Sequence, residues 1–254
     1  MKGLLMKKIS ILILVMVSLV FGQDISNYIL NAKKQVQIGY YSWDEKQMLE
    51  ARATFERLLG KSDRDWLIRY YIAYCDYRLT TYAINQKNKE AVKKYLQDGF
   101  EQLEQCLDIK PEYADAWALI SAMYGYKIAL IPWSGILYGP KSSKAIATAK
   151  ELEPNNPRIA LIEGISAFHT PEQWGGGKER ARELLIKSSE LFRNNHPAPE
   201  LPDWGYSEAH AWLGILYQQE DDITTAKQHY LKALEIDPGN GWVRYNLLPK
   251  LSNQ

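Results

Sequence analysis

The stretch E-A-H-A-W-L-G-I-L-Y-Q-Q-E-D-D-I-T-T-A-K-Q-H-Y-L-K-A-L-E-I-D-P runs from Glu208 to Pro238. Its spacing decides the fold. Leu213, Leu216 and Tyr217 fall on one side of a 3.6-residue period and form an apolar stripe. Gly214 lies inside that helix, where glycine costs about 1 kcal/mol relative to alanine. Close approach of a second helix offsets that cost. Gln218–Asp222 is a polar turn, and Asp222 is placed to cap the second helix. That helix carries Ala226, Tyr230 and Ala233, a large residue flanked by small ones, so that a facing helix can pack around the tyrosine. Pro238 and Gly239 end it. The stretch is a helical hairpin.

Leu213, Gly214, Tyr217, Ala226, Tyr230, Ala233 and Pro238 together resemble the tetratricopeptide repeat. The resemblance implies an all-α, right-handed α-α superhelix whose members hold protein partners and share no catalytic activity. In that family the first helix of each hairpin lines a concave groove. On that basis Glu208, Trp212, Ile215 and Gln219 of the last repeat are expected to face the groove. Asp115, Leu119, Ala122 and Tyr126 of an earlier repeat are expected to do the same. The surface so formed is mostly apolar and suits a peptide or helix.

Moving outward, the hairpin has weaker copies. L-D-I-K-P ends at Pro111, E-L-E-P at Pro154 and E-I-D-P at Pro238, with Pro197 between the last two. The interval is near 42 residues, longer than the 34 of the simple repeat. The surplus is expected in three long loops: Pro132–Pro140, Thr170–Gly177 and His196–Gly205. The helices are expected at Ser26–Tyr41, from the Asp44 cap to Leu59, Trp66–Tyr82, from the Asn88 cap to Ile109, Trp117–Ile131, Lys141–Leu152, Arg158–His169 and Lys178–Phe192, and then in the C-terminal hairpin. Trp242–Leu248 closes the open end. The body is therefore a TPR-like solenoid of about five hairpins over residues 23–254.

Two groups of aromatic residues have two readings each. Tyr70, Tyr74 and Tyr77 share a helical face and serve either as packing between neighbouring helices or as a lining that stacks a flat ligand. Trp133, Trp174 and Trp204 sit in the three loops and either staple those loops down or touch a partner.

Met1–Gly22 has the form of a secretory signal: Lys2, Lys7 and Lys8 precede an apolar run, Ile9–Phe21, and Gly22 precedes the expected cleavage. The run is shorter than the ~20 residues a membrane helix needs, so no stable span is expected after cleavage. No Cys follows it, so a lipid anchor is not indicated. Export to the periplasm or beyond is the expectation. Loss of the leader takes the formal charge from +1 to −2, which excludes the basic footprint of a nucleic-acid binder. Cys75 and Cys106 are expected to pack as separate small residues, because pairing of their helices leaves them about 13 Å apart along the axis.

Nothing in the sequence marks chemistry. The four histidines, His169, His196, His210 and His229, lack zinc-ligand spacing. There is no nucleophile elbow, and G-G-G-K-E at Gly175–Glu179 lacks the spacing of a phosphate loop. No cofactor, no metal and no catalysis are expected. The function expected is a non-catalytic protein-interaction scaffold. The alternative is a solute-binding transport accessory, because the glycine loop before Ala181 is similar to that of TRAP-transporter T-components.

Overall fold

The computed structural model describes residues 25–253. The expected leader, Met1–Gly22, lies outside them. Ten α-helices are described: α1 (25–42), α2 (Glu45–Leu58), α3 (Asp65–Asn85), α4 (Lys89–Ile109), α5 (Ala114–Leu130), α6 (Gly135–Leu152), α7 (Pro157–His169), α8 (Lys178–Arg193), α9 (Tyr206–Gln218) and α10 (Ile223–Ile236). No strand occurs among the described residues. Consecutive helices pair as five hairpins, α1 meeting α2 at Gly39 and Met48, and along the inner layer α3 packs on α5, α5 on α7, and α7 on α9 through Phe168 and Trp212. The fold is an all-α superhelix of the tetratricopeptide type.

Caps and turns explain the boundaries. The side chains of Asp44, Asn88, Asn156 and Asp222 each accept a backbone N–H from the first turn of the helix they precede. Pro157 takes the first position of α7, where its missing N–H costs nothing. Gly60 takes a φ of +70°, which turns the chain out of α2.

The last hairpin shows why small residues flank its tyrosine. Tyr230 is fully buried, and a Cβ added at Gly214 would lie 2.3 Å from its ring. Glycine is required there by that approach. Ala226 and Ala233 are fully buried beside it. Each large side chain buried in this way contributes about 1.5–3 kcal/mol.

Two expectations change. The segment Pro132–Pro140 is not a long loop. It is a short 3-10 turn, Pro132–Ser134, and then the first turns of α6, which starts at Gly135 and holds Pro140 inside it. Pro140 removes one backbone donor, but the affected carbonyl, that of Ile136, lies at an exposed tip where water takes over. The terminal helix is also different: Trp242–Leu247 is a π-type turn that continues into a 3-10 turn, Leu248–Asn253. Asn240 still caps it, accepting from the Val243 N–H.

The two ends of the superhelix meet. The backbone at Gly241 lies so close to the Tyr41 carbonyl that an added Cβ would come within 2.2 Å of its oxygen. The Tyr41 hydroxyl donates to Glu208 on α9 at 3.4 Å. Helix α1 therefore touches the last hairpin and the segment after it. Cys75 and Cys106 are both buried and unpaired.

Candidate interaction surface

The inner layer is half filled by the chain itself. The loop between α8 and α9, 194–205, runs back across the axis to the N-terminal hairpins. Its prolines favour an extended path. The Lys33 ammonium donates to the carbonyls of Pro199 and Leu201, both at 2.6 Å, and pairs with Asp203 at 3.2 Å. Burial lowers the Lys33 pKa, against the pull of Asp203. The Tyr71 hydroxyl donates to the Glu200 carbonyl at 2.6 Å. Arg64 and Ser26 hold the Glu200 carboxylate. The Trp204 indole N–H donates to the Tyr70 hydroxyl at 3.0 Å, and its ring stacks on Tyr74 with centroids 5.1 Å apart.

Beneath Trp204 lies Arg78, which is 2% exposed. Its guanidinium is within 4.1 to 5.3 Å of the ring centroids of Tyr40, Tyr74, Trp204 and Tyr77. It donates to the Tyr74 hydroxyl and to the Glu208 carboxylate. Burial works against its charge, but Glu208 together with Tyr74, Tyr40 and Tyr77 outweighs that and keeps the Arg78 pKa well above its ordinary value. A second buried pair joins α5 to α7, with Arg158 bidentate on Asp115 at 2.6 and 3.1 Å. Such pairs specify which helices meet, and they are costly to break.

These contacts fix where the expected residues lie. Asp115, Glu208 and Leu119 are buried, so in this conformation they offer nothing to a partner. Tyr70, Tyr74 and Tyr77 are buried, and the rings pack among themselves and against Trp204. Trp204 is itself buried. Arg78, Lys33 and Tyr40 carry much of this arrangement, and periodicity alone does not single them out as site residues. A signal existed for Arg78: it stands directly after Tyr77 in the most aromatic stretch, where Arg69 is the other cation.

The other half of the inner layer is partly open. Ala122, Tyr126, Trp212 and Ile215 are half-buried there, and Gln219 is exposed at the turn. Tyr126 packs on Tyr77 at 5.2 Å and shares a hydrogen bond with Thr81. Trp212 is surrounded by Phe168 and His169 at 5.4 Å and Trp242 at 5.8 Å. Partial loss of water beside these rings lowers the His169 pKa, although the residue stays exposed. The result is an aromatic cluster drawn from α7, α9 and the C-terminal turn, with Tyr126 of α5 packed separately against α3.

Because the inner helices run parallel, the turns at their C-terminal ends share one rim. Trp133 and Trp174 stand on that rim, 78% and 75% exposed. Trp174 is set by three glycines, each for its own reason. Gly175 and Gly177 take φ of +81° and +105°, and Gly176 lies against the Thr170 carbonyl, where a Cβ would fall 2.1 Å away. The glycines serve turn geometry.

One further pair is unusual. His210 and His229 face each other across the last hairpin, with Nδ1 atoms 3.0 Å apart. His229 is stacked on Tyr217 at 5.4 Å. Burial, and then the neighbouring His229, push the His210 pKa down to about 4.

The fold, its inner layer and its rim together define the class: a tetratricopeptide-type superhelix. Residues 207–240 match the tetratricopeptide repeat family. No curated protein matches the chain. Among solved structures, the HusA haemophore from Porphyromonas gingivalis is similar at 22% identity and a TM-score of 0.61, covering 78% of this chain and 94% of that one. A thermophilic tetratricopeptide repeat protein of Thermus thermophilus, TTC0263, is similar at 17% identity and a TM-score of 0.59, covering 88% and 100%. The Cut9–Hcn1 hetero-tetramer of the APC/C matches at 13% identity and a TM-score of 0.56, covering 91% of this chain and 39% of that one. At these identities the likeness shows the fold. Proteins of this repeat class serve in general as protein-interaction scaffolds.

Proposed function

We propose that the protein is a non-catalytic interaction scaffold of the periplasm or cell envelope. It binds a protein or peptide partner on the open half of the inner layer. One observation carries this reading: the chain packs its own 194–205 loop against the N-terminal helices and leaves the aromatic side chains of Tyr126, Phe168, Trp212 and Trp242 half-exposed elsewhere on the inner layer. Half-buried aromatic anchors on a rigid frame are the usual centres of binding energy. The exported location takes its support from the sequence of Met1–Gly22 alone. Crosslinking and pull-down from a periplasmic extract test the proposal, comparing the wild type with Trp212→Ala. A single partner held by the wild type and lost in the variant is the expected result. A partner held equally by both would show that these side chains are packing.

A second reading rests on His169 beside Phe168 and Trp212. A ring nitrogen next to flat apolar side chains also suits a planar apolar solute, and one structure of this fold is described as a haemophore. On this reading the protein is a solute-binding accessory, in the manner of a transporter's T-component. Haemin titration with visible absorbance as the readout separates the two: a saturable band that is lost in His169→Ala supports the solute, and a featureless titration removes it.

A further inference from the structure

The turn between α5 and α6 is the most apolar exposed feature of the described residues. Leu130, Ile131, Trp133, Ile136 and Leu137 all lie within eight consecutive positions, and Ile136 is 89% exposed and Leu137 57%. Water contact of this extent is unfavourable for each of these side chains. The turn is not loose. The Ser134 N–H donates to the Ile131 carbonyl at 2.8 Å, and the Ser134 hydroxyl donates to the Lys127 carbonyl at 3.2 Å. The side chains are thus held out on a fixed, convex tip.

Behind the tip the chemistry changes in order. Tyr138 comes first, stacked on Tyr124 at 5.7 Å. Lys127 then lies 4.4 Å from the Phe100 ring and 5.0 Å from that of Tyr138, and Lys141 lies 5.8 Å from Tyr138. Lys141 and Lys144 are exposed. The lysines that pair with carboxylates among the described residues are Lys33, Lys46, Lys94, Lys150 and Lys232, so these three are left unpaired. Lys141 stands five positions beyond Ile136, about 7.5 Å along the helix. An apolar end, an aromatic layer and then a layer of cations, spaced over about 12 Å, is the sequence of environments at a membrane surface.

We propose that this tip inserts into the surface of an anionic lipid bilayer, with Ile136, Leu137 and Trp133 among the acyl chains and Lys127, Lys141 and Lys144 at the headgroups. A protein partner fits less well. One convex turn falls short of the roughly 800 Å² per side that a stable protein interface buries. Clustered unpaired lysines next to it match a surface of anionic headgroups.

The test uses the full chain carrying Ile136→Cys, labelled with an environment-sensitive fluorophore. The native thiols of Cys75 and Cys106 are buried, so the label goes to the tip. The label reports the tip alone, whatever the apolar run Ile9–Phe21 does. The vesicles are phosphatidylcholine, with or without phosphatidylglycerol. With anionic vesicles the emission is expected to rise, shift to the blue and be quenched by lipid-borne quenchers. Lys141→Gln with Lys144→Gln is expected to lower partitioning of the label by about thirtyfold. Three outcomes would overturn the proposal. The label stays in water while the protein sediments with vesicles. Neutral vesicles shift it as strongly as anionic ones. Or it shifts without vesicles as protein concentration rises, which would give the tip to a second copy of the chain.

Discussion

At the scale of single residues, the buried charges and the paired histidines are the most consequential. Arg78 exchanges water for four aromatic faces and one carboxylate, and the arrangement works because Glu208 arrives from the far end of the chain. His210 is a different case. Its folded pKa is pushed down to about 4, first by burial and then by His229, while in the unfolded chain it titrates near 6.5. Between those values the unfolded chain takes up a proton that the folded one refuses. Stability is therefore full above about pH 6.5 and falls as the pH drops towards 4. At pH 5 this one group is expected to cost about 2 kcal/mol relative to pH 7. Urea midpoints at the two pH values check it: His210→Phe should lose less on acidification than the wild type. Equal losses would mean the imidazole titrates freely in the fold.

At the scale of elements, the 194–205 loop behaves as a part of the core although it has no regular structure. Trp204 links α3 to the last two hairpins through Tyr70 and Tyr74. Trp204→Ala is expected to cost about 3–5 kcal/mol, the range for removing a large buried aromatic. It should also open the loop to proteolysis between Arg193 and Tyr206. Thermal melting and the cleavage pattern check both; a melting temperature within about a degree of wild type would mean that the loop only lies on the surface. This loop is the least legible part of the sequence. The hairpins can be read because Gly214, Tyr230, Ala226 and the caps at Asp44, Asn88 and Asp222 act over a few residues. The path of H-P-A-P-E-L-P-D-W-G cannot be read, because its partners, Lys33, Tyr71 and Arg78, lie more than a hundred positions away. The same reason explains the candidate site. Periodicity places Trp212 and Tyr126 on the inner layer, but which inner positions stay open depends on where that distant loop comes to rest. Pro140 misleads for a local reason: a proline near the start of a helix reads as a boundary.

At the scale of the whole molecule, contact between the ends changes how a repeat protein should respond to damage. Open solenoids fray from their ends, because each repeat touches only its neighbours. Here the segment after α10 presses on the end of α1 at Tyr41. Gly241→Val should wedge that contact apart. Hydrogen exchange is then expected to accelerate in residues 25–42, some two hundred positions from the substitution, while α5 and α6 keep their protection. Unchanged exchange in 25–42 would mean that the two ends only touch without supporting one another.

The meeting of Tyr41 and Gly241 also bears on how such a chain can vary. An open array can gain or lose a unit and keep its shape, as a stack of coins does. Once the first and last units are fitted together, the circumference is set. A sixth hairpin would separate Glu208 from Arg78 and leave the 194–205 loop with nothing to bridge, and a missing one would leave no room for Trp204. The number five is therefore a closure condition of the architecture, whereas a turn on the rim can be rewritten without disturbing the contact between Tyr41 and Gly241.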